Sequence, residues 1–305
     1  MSAAIVIVNP VAGSGRARRA ATALHAAVSA AGGEMVESSA PGDVARIAAE
    51  AARSGVSRVV AVGGEGTVQE VANGLRGLPS PPAVGIVPGG NGNDLARALG
   101  LPRDPLAALA VALHAGTRAV DLGLVRSAAG ERSFVAAGGT GFDAGVATRM
   151  AGHRAWWQRG RPGYLLTTLD ELRRQRNAVI GLTVDGEAVA LPGPILFAAF
   201  ANGPFYGGGM QICPTARLDD GALDLCVVGD LSRLAALREL PGLYRGAHVD
   251  HPAVSFHRFR SLRIEGAGTP VHLDGEPFGS LPIEIEVEPA AMRVAVASGS
   301  GTVAP

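Results

Sequence analysis

The segment VVAVGGEGTVQEVANGL, which runs from Val59 to Leu75, contains a strand, a loop and a helix in succession. Its first four residues are apolar and mostly β-branched, as in a strand buried on both faces. From Thr67 onward its apolar residues have helical spacing. Between the two lie three glycines and Glu65, and this much backbone freedom lets a bound group approach the main chain closely. A simple turn would not need both the glycines and the carboxylate, so the loop is a candidate binding site.

Strand and helix patterns alternate on either side of this segment, up to Asp121. The alternation predicts a doubly wound parallel sheet, with ligands bound beyond the carboxyl ends of its strands. The predicted strands are Ala4–Val8, Glu34–Glu37, Arg58–Val62 and Val84–Val87. The predicted helices are a run ending at Gly32, a run from Asp43 as N-cap to Gly55 as stop, Thr67–Leu75 and Asn93–Leu99.

The pattern changes after Asp121, where short β-type runs are separated by Gly, Pro and Asp turns. This texture predicts a mostly antiparallel, sandwich-like second domain with one strong helix, Tyr164–Gln175. The sequence therefore predicts an α/β domain over residues 1–121 and a β-rich domain over residues 122–287. The predicted strands of the second domain are Phe134–Ala137, Val179–Val184, Ile195–Ala201, Leu223–Val228, Leu262–Ile264, Ile283–Val287 and Arg293–Ala297.

The composition excludes several classes of protein. The chain has 305 residues, a formal net charge of +0 and no lysine, so it lacks the cationic excess of a protein that coats nucleic acid. Arginine and protonated histidine must therefore make any contact with an anionic ligand. Arginine suits phosphate through its planar fork of donors. No signal-peptide pattern is present, and no apolar run reaches the ~18 residues of a membrane span. We expect a soluble cytoplasmic protein in which Cys213 and Cys226 are buried thiols rather than a cross-hairpin pair.

Three glycine-rich loops follow strands of the predicted parallel sheet, at Val8–Gly15, Val62–Thr67 and Val87–Asp94. Each opens a helix, whose first N–H groups attract anions. One glycine turn after a strand is common, but three on the same sheet edge indicate the phosphate chain of a nucleotide. None is a Walker A loop, because no Gly-Lys-Ser/Thr follows, and none has the spacing of the dinucleotide fingerprint.

Two acidic residues lie in these loops and would repel phosphate at close range. A divalent cation between them and the phosphates, most readily Mg²⁺, explains the presence of Glu65 and Asp94 and predicts both as catalytic acids. Asp94 has a second explanation, since a carboxylate at a helix start stabilises the helix by ~0.3–1 kcal/mol. That explanation suits Glu65 less well, because glycines enclose it.

Together these motifs resemble the catalytic domain of the diacylglycerol kinase family, in particular the bacterial soluble lipid kinases. The family's Gly-Gly-Asp-Gly-Thr loop and following Asn-Glu-Val stand here as Gly63-Gly64-Glu65-Gly66-Thr67 and Gln69-Glu70-Val71. Its Pro-x-Gly-Thr-x-Asn-Asp motif stands as Pro88-Gly89-Gly90-Asn91-Gly92-Asn93-Asp94, and Asn9-Pro10 with Gly13 matches its first nucleotide loop. The blocks NGPFYGGGMQICPTARLDDGALDL (Asn202–Leu225) and LDGEP (Leu273–Pro277) follow in the family's order.

The resemblance implies a first domain like that of phosphofructokinases and NAD kinases, to which residues ~288–305 return. It also implies ATP and Mg²⁺ as cofactors, and Ser38 rather than Ser39 as the hydroxyl residue that contacts nucleotide after the second strand. A structural Mg²⁺ is implied at the side chain of Asp220 and the carbonyl groups of Arg217 and Ala222. The implied nucleotide-binding residues are Asn9, Pro10, Val11, Ala12, Gly13, Ser38, Gly64, Glu65, Gly66, Thr67, Val68, Gln69, Glu70 and Asn91.

The tripeptide Asp-Gly-Glu occurs twice, at residues 185–187 and 274–276. Both copies are strong hairpin signals, and their local sequences do not distinguish them. In the family the general base is the glutamate of the turn that follows the Gly-Gly-Gly-Met block, which implies Glu276. A carboxylate positioned to accept a hydroxyl proton contributes ~10²–10⁴-fold to such a reaction.

Trp156 and Trp157 lie among Arg154, Arg159 and Arg161. Paired tryptophans beside arginine suit the surface of an anionic bilayer, so they are candidates for peripheral membrane contact. A helix that packs its aromatic residues into the second domain, or a homodimer contact, would explain the same pattern equally well.

The sequence thus predicts an ATP-dependent lipid kinase that phosphorylates a hydroxyl of a diacylglycerol-like lipid at the membrane surface. One alternative is a kinase of a soluble acceptor such as NAD, although the Tyr206–Met210 block and Glu276 favour a lipid. The other is a non-catalytic lipid- or nucleotide-binding relative, because Glu65, Gln69 and Asn91 stand where the family has Asp, Asn and Thr.

Overall fold

A computed structural model describes residues 4–152, 160–174 and 177–297. By internal contacts the chain divides into two compact units, one of Met1–Leu122 with Pro289–Pro305 and one of Gly123–Glu288. Among the helices in the described ranges, none combines the length and the hydropathy that a bilayer crossing requires.

The first unit is an α/β unit with a parallel sheet. Its four N-terminal strands have the order β2-β1-β3-β4, and the end of the chain's last strand joins β4 in parallel through Val294 and Val84. The strands are β1 (Ala4–Val8), β2 (Glu34–Glu37), β3 (Arg58–Gly63) and β4 (Ala83–Pro88), and the helices are α1 (Arg16–Ala30), α2 (Asp43–Arg53), α3 (Glu65–Leu75), α4 (Asp94–Ala98) and α5 (Pro105–His114).

Alternating side chains of the central strands form the core of this unit. Helices α1 and α5 cover one face of the sheet, where they bury a cluster that includes Val6, Val60, Val87, Leu24 and Leu109. Helices α2 and α3 pack against β1, β3 and each other. Because β1 and β3 are buried on both faces, they read as continuous apolar runs rather than as alternating ones.

The second unit is mostly antiparallel β. Six strands form a sheet in the order β12-β11-β10-β7-β14-β15, and β13 pairs on one side with β8 and on the other with the first part of β16. The strands are β5 (Thr117–Ser127), β6 (Gly130–Phe134), β7 (Ala137–Gly141), β8 (Gly181–Val184), β9 (Glu187–Val189), β10 (Phe197–Ala201), β11 (Leu223–Val228), β12 (Val254–Phe259), β13 (Ser261–Glu265), β14 (Pro270–Leu273), β15 (Glu276–Ser280) and β16 (Ile283–Ala295), and the helices are α6 (Phe142–Gly152), α7 (Gly160–Arg174) and α8 (Arg233–Leu243).

Fully buried aromatic side chains mark the core of this unit, including Phe134 and Phe200, whose ring centroids lie 5.3 Å apart. The predicted fold class, a parallel α/β domain followed by an antiparallel, sandwich-like β domain, is confirmed.

The structure corrects the predicted starts of three helices. Helix α3 begins at Glu65 rather than Thr67, so the loop carboxylate belongs to the first turn of the helix. Asn93 is the left-handed N-cap of α4 rather than part of it. Gly42, not Asp43, is the N-cap of α2, and the hydrogen bond from the Ser39 N–H, with support from Arg46, lowers the pKa of Asp43 to about 2.

Further differences concern whole elements, and they include helices α6 and α8, which are additional to the one helix predicted for the second domain. The predicted strand Phe134–Ala137 is wrong, since these residues join the end of β6 to the start of β7. The predicted strands Ile283–Val287 and Arg293–Ala297 are parts of one long strand, β16. Helix α5 was missed, although its N-cap Asp104, which accepts from the Ala107 N–H at 2.9 Å, and the proline after it are standard start signals.

Both cysteines are free and buried, as predicted. Burial raises the pKa of the Cys213 thiol well above its usual range, and burial with the nearby charge of Asp143 raises that of Cys226 to about 12. Because the thiolate is the reactive form, we expect neither thiol to react with a disulfide reagent at pH 8 in the native protein. Both should react after denaturation in guanidinium. Rapid labelling of either cysteine in the folded state would contradict the described packing.

Candidate nucleotide and metal site

The three glycine loops of the first unit leave adjacent parallel strands and contact one another. The Asn9 N–H donates to the Val62 carbonyl at 3.1 Å, and the Gly89 N–H donates to the Gly63 carbonyl at 2.7 Å. The structure therefore brings together, at one edge of the sheet, the loops that the sequence selected separately. This edge is the usual ligand position of an open α/β sheet.

The first loop fits against the third at Gly13. This residue has a left-handed backbone (φ 58°), and a Cβ placed on it would lie 1.9 Å from the Gly89 carbonyl oxygen. Asn9 fixes the start of the loop, because its side chain donates to the Thr67 hydroxyl at 3.2 Å and accepts from the Val11 N–H at 3.3 Å. The Asn9–Gly13 segment is thus shaped by the loops beside it.

Arg16 supplies positive charge to the same edge and is not among the residues predicted from the sequence. Its guanidinium donates to the Gly90 carbonyl and to the Asn91 side-chain oxygen, both at 2.6 Å. The signal for it was present, since Arg16 directly follows the first glycine loop in a chain without lysine. A guanidinium at this place suits a ligand that carries phosphate.

The second loop presents the start of helix α3. The N–H groups of Thr67 and Val68 bond to the Gly64 carbonyl at 3.1 and 3.2 Å, and the main-chain N–H groups before them open the helix, where anions usually bind. The side chains of Thr67, Val68 and Gln69 are buried. These three residues therefore form the buried first turns of the helix, and their contact with a nucleotide stays a prediction.

Glu65 connects the second loop to the third. Its carboxylate accepts a hydrogen bond from the main-chain N–H of Asp94. The residue therefore joins the first turn of α3 to the first turn of α4.

Asp94 is 4% exposed and forms an ion pair with Arg97 one helical turn later. A Cβ placed on Gly92 would lie 3.2 Å from one carboxylate oxygen of Asp94 and 3.3 Å from one of Glu65. The two carboxylates thus flank a common point next to the glycine loops.

This pair fits a magnesium ion. Mg²⁺ is commonly held by one or two carboxylates together with substrate phosphates and water, rather than by a cage of protein ligands. Within the described ranges, no group of three or more His, Cys, Asp and Glu side chains is arranged to hold a metal. Two carboxylates beside the glycine loops match the donor set that a nucleotide-bound Mg²⁺ takes from a protein.

The hydroxyl groups after β2 differ in their contacts. The Ser39 hydroxyl donates to Asp43 at 3.0 Å. Ser38 is the first residue after β2, and its N–H donates to the Val8 carbonyl of the neighbouring strand β1 at 2.9 Å. Ser38 thus lies at the carboxyl end of β2, on the same sheet edge as the glycine loops, and it stays the predicted nucleotide contact.

The two Asp-Gly-Glu turns of the second unit are built in the same way. Asp274 has a left-handed backbone (φ 50°), and its carboxylate accepts from the N–H groups of Val135 and Ala136 at 2.9 and 2.8 Å. Asp185 (φ 49°) likewise accepts from the N–H groups of Arg260 and Ser261 at 2.9 and 2.7 Å. In each turn the aspartate anchors the backbone and the glutamate that follows is exposed.

The predicted structural metal site lies in the turn before β11. One oxygen of Asp220 pairs with Arg258 at 2.8 Å, and the other is buried with no hydrogen-bond partner in the described part of the chain. Burial, followed by the charge of Asp220, raises the pKa of Asp224 to about 6. An unpaired carboxylate oxygen near a second carboxylate is a donor that suits a cation, and coordination by Asp220 with the carbonyl groups of Arg217 and Ala222 stays a prediction.

Trp156, Trp157, Arg154 and Arg159 lie outside the described residues. Their contact with a membrane stays a prediction.

Comparison with known proteins identifies the families that this chain resembles. The model of the diacylglycerol kinase catalytic domain matches residues 3–125, and that of the YegS C-terminal NAD kinase beta sandwich-like domain matches residues 136–296. A diacylglycerol kinase of Mycobacterium tuberculosis (strain ATCC 25618 / H37Rv) is 36% identical over 94% of this chain and 93% of its own. A "Probable lipid kinase YegS-like" of Chromohalobacter salexigens is 34% identical over 85% of this chain and 82% of its own.

Solved structures show the same fold. A crystal structure from Bacillus anthracis str. Sterne matches with a TM-score of 0.79 at 25% identity and covers 98% of this chain and 96% of that one. A diacylglycerol kinase structure from the same organism matches with a TM-score of 0.73 at 21% identity and covers 98% of both chains. On the sequence matches, the chain belongs to the family of diacylglycerol kinases and YegS-like lipid kinases.

Proposed function

We propose that this protein is an ATP- and Mg²⁺-dependent lipid kinase that transfers the γ-phosphoryl group of ATP to a hydroxyl of a diacylglycerol-like lipid. The observation that carries this proposal is the joining of the three glycine loops through Asn9, Gly89 and Arg16. Loops that fix one another in this way form a prearranged surface of main-chain N–H groups and one guanidinium, which suits the phosphates of a nucleotide. The names of the relatives support a lipid as the acceptor.

In this proposal each unit binds one of the two substrates. The first unit binds ATP through the loops at Asn9–Gly13, Gly64–Glu70 and Asn91, with Ser38 as a further contact. Glu65 and Asp94 would hold Mg²⁺ at the phosphates, and that ion would neutralise charge on the transferred group. The second unit binds the lipid and supplies Glu276.

The chemical step follows from these roles. The Glu276 carboxylate accepts the proton of the lipid hydroxyl as that oxygen attacks the γ-phosphorus atom of ATP. The bond from the γ-phosphorus to the bridging oxygen breaks, and ADP leaves with that electron pair. The products are a phosphorylated lipid, ADP and a protonated Glu276, which then releases its proton to water.

One alternative acceptor has its own support. The model that matches residues 136–296 is described as NAD kinase beta sandwich-like, so a soluble acceptor such as NAD must be tested. A non-catalytic relative must be tested too, because Glu65 stands where the family motif has Asp.

Consumption of ATP distinguishes these functions. The purified protein is incubated with ATP, Mg²⁺ and, separately, diacylglycerol in mixed micelles, a sphingoid base, NAD, or no acceptor. We expect ADP formation and phosphate transfer with a lipid that carries a free hydroxyl. Transfer to NAD alone would support the soluble-acceptor function, and tight ATP binding without transfer to any acceptor would support the non-catalytic one.

Binding of Mg²⁺ at Asp220 predicts a thermal shift. A ligand at about 100 times its Kd stabilises the folded state by about 2.7 kcal/mol, so Mg²⁺ should raise the Tm measured by scanning calorimetry. Asp220→Asn should lose this Mg²⁺-dependent rise, because the buried oxygen, which has no partner among the described residues, becomes part of an amide. Asp219→Asn changes the neighbouring carboxylate and should keep the rise. An equal rise in both variants would refute the proposed ligand.

Membrane contact through the tryptophan pair predicts a loss of vesicle binding. Trp156→Ser with Trp157→Ser removes the aromatic side chains that would enter the headgroup region. We expect the wild type, but not the double variant, to pellet with vesicles of phosphatidylcholine and an anionic phospholipid. Unchanged pelleting of the double variant would show that other residues make the contact.

A further inference from the structure

A buried polar cluster lies in the second unit, and the proposed function gives none of its three side chains a role. The His272 Nε2–H donates to an oxygen of Asp143 at 3.2 Å, and the Tyr206 hydroxyl donates to the same oxygen at 3.3 Å. Asp143 is 7% exposed and His272 is 2% exposed. Burial of a carboxylate is costly unless several donors satisfy it, and the second Asp143 oxygen accepts from the Ala144 N–H at 2.8 Å.

The sequence makes room for this carboxylate at Gly139. A Cβ placed on that residue, in the middle of the buried strand β7, would lie 2.0 Å from the Asp143 oxygen that receives both side chains. Glycine inside a strand lowers stability because of its larger conformational freedom in the unfolded chain. The strand thus gives up some stability at a position where only glycine leaves space for Asp143.

One partner of Asp143 closes an unusual loop. Tyr206 and Met210 exchange two main-chain hydrogen bonds of 2.9 Å, and the three glycines between them have φ values of 60°, 87° and 111°. Three successive glycines with positive φ have wide conformational freedom. The contact of the Tyr206 hydroxyl with Asp143 is a side-chain link that holds the neck of this loop to α6.

The other partner belongs to the hairpin of β14 and β15. His272 pairs with Pro277 across this hairpin, and the turn between them carries Glu276. The other ring nitrogen, Nδ1, is buried without a hydrogen-bond partner among the described residues. Asp143 is therefore the hydrogen-bond partner that the described structure gives to this imidazole.

We propose that Asp143 is a positioning residue that holds the Tyr206–Met210 loop in register with the hairpin that carries Glu276. The inference rests on the proposed function, in which the second unit binds the acceptor lipid and Glu276 is the general base. One carboxylate oxygen receives a donor from each segment, so a shift of either segment breaks a hydrogen bond to a buried charge. A hydrogen bond to a charged group contributes more to stability than a hydrogen bond between neutral groups.

The experiment has one arm that needs no turnover. Amide hydrogen exchange of the full chain is followed in the wild type, in Asp143→Asn and in Tyr206→Phe, the second of which removes only a hydroxyl. We expect the amides of Tyr206 and Met210 to exchange about tenfold faster in both variants, as for the loss of one hydrogen bond to a charged group. In Asp143→Asn, the amides of β14 should also exchange faster.

The control is the other histidine that is buried among the described residues of this unit. His248 is 3% exposed, bonds to the Ile212 carbonyl through Nε2 at 3.0 Å and likewise has an Nδ1 without a described partner. His248→Asn should lower stability without faster exchange at Tyr206 and Met210. Equal exchange at these two amides in the control, or wild-type exchange in both test variants, would overturn the proposal.

The second arm measures kinase turnover. Asp143→Asn should lower kcat about 100-fold, as expected when reacting groups are displaced by about 1 Å, with the KM for ATP unchanged. Tyr206→Phe should lower kcat less, and His248→Asn should leave it unchanged. A kcat in Asp143→Asn equal to that of the wild type would overturn the positioning role. Failure of the wild type to phosphorylate any lipid would instead refute the proposed function, and the exchange arm would still decide whether Asp143 joins the two segments.

Discussion

Glu276→Gln is expected to lower kcat for phosphate transfer to lipid by at least ~100-fold, the lower end of the contribution of a positioned general base. Glutamine keeps the size and hydrogen-bonding capacity of the side chain but does not accept a proton from a lipid hydroxyl. Because Glu276 is exposed at the start of β15, the substitution should leave the Tm unchanged. The loss should therefore appear in kcat, measured by transfer of labelled phosphate, with little change in the KM for ATP.

The chain provides a matched control in Glu187. It follows an Asp-Gly turn of the same backbone conformation, anchored by the same kind of carboxylate contact to neighbouring N–H groups, and it is also exposed. Glu187→Gln changes charge and hydrogen bonding by the same amount, and we expect it to keep wild-type turnover. The opposite ranking of the two variants would move the proposed base to the first turn, and equal small effects would exclude a carboxylate base in either.

The aspartates of the two turns also bear on the comparison between Glu276 and Glu187. Asp274 and Asp185 have an anchoring role, since main-chain N–H groups donate to both oxygens of Asp274 and to Oδ1 of Asp185. Burial by itself would raise the pKa of Asp185, but the hydrogen bonds from Ser261 and Arg260 outweigh it and hold that pKa below its usual value. The stability that these bonds provide is present above the unfolded-state pKa and is lost as the pH falls through the lower folded-state pKa. Any effect of these aspartates on turnover would thus be indirect.

Much of the first unit could be predicted because its strands carry a strong local signal. Runs such as Val59–Val62 are apolar throughout, and a glycine loop ends each one, so strand positions and the parallel class follow from the sequence alone. The start of α3 was placed two residues late because Glu65 looked like part of a loop. The contact between its carboxylate and the Asp94 N–H joins residues far apart in the chain, and no local pattern reveals it.

The second unit was predicted less precisely, since its order depends on pairing between distant segments. The run Phe134–Ala137 has β-type composition, but the Asp274 carboxylate binds the N–H groups of Val135 and Ala136 and ends the strand there. Asp143 and His272 carried no motif that the sequence analysis used. Gly139 was the available sign, because a glycine in a buried strand often marks a close approach of another group.

Glu65 is the residue for which the structure changes the expectation most. Its carboxylate reaches the main-chain N–H of Asp94, so the side chain joins two loops as well as facing the point it shares with Asp94. We expect Glu65→Asp to lower turnover about tenfold, because a side chain shorter by ~1.5 Å loses a hydrogen bond to a charged group, which is worth ~1.5–3 kcal/mol. Glu65→Gln keeps the reach but removes the charge, and should lose ~100-fold if Mg²⁺ depends on it.

The Mg²⁺ dependence of kcat separates the two roles. Glu65→Gln should need more Mg²⁺ for half-maximal turnover, whereas Glu65→Asp keeps the charge and should lose activity that added Mg²⁺ does not restore. Glu50→Asp, an equal shortening on the exposed side of α2 where Glu50 pairs with Arg46, is the matched control and should behave as the wild type. A gain in turnover in Glu65→Asp would mean that the longer side chain holds the ion poorly and that the bond to Asp94 is a by-product of its length. A loss would mean that the hydrogen bond from the Asp94 N–H to the Glu65 carboxylate fixes the third loop to the first turn of α3. Glutamate is long enough to form this bond, and aspartate is not.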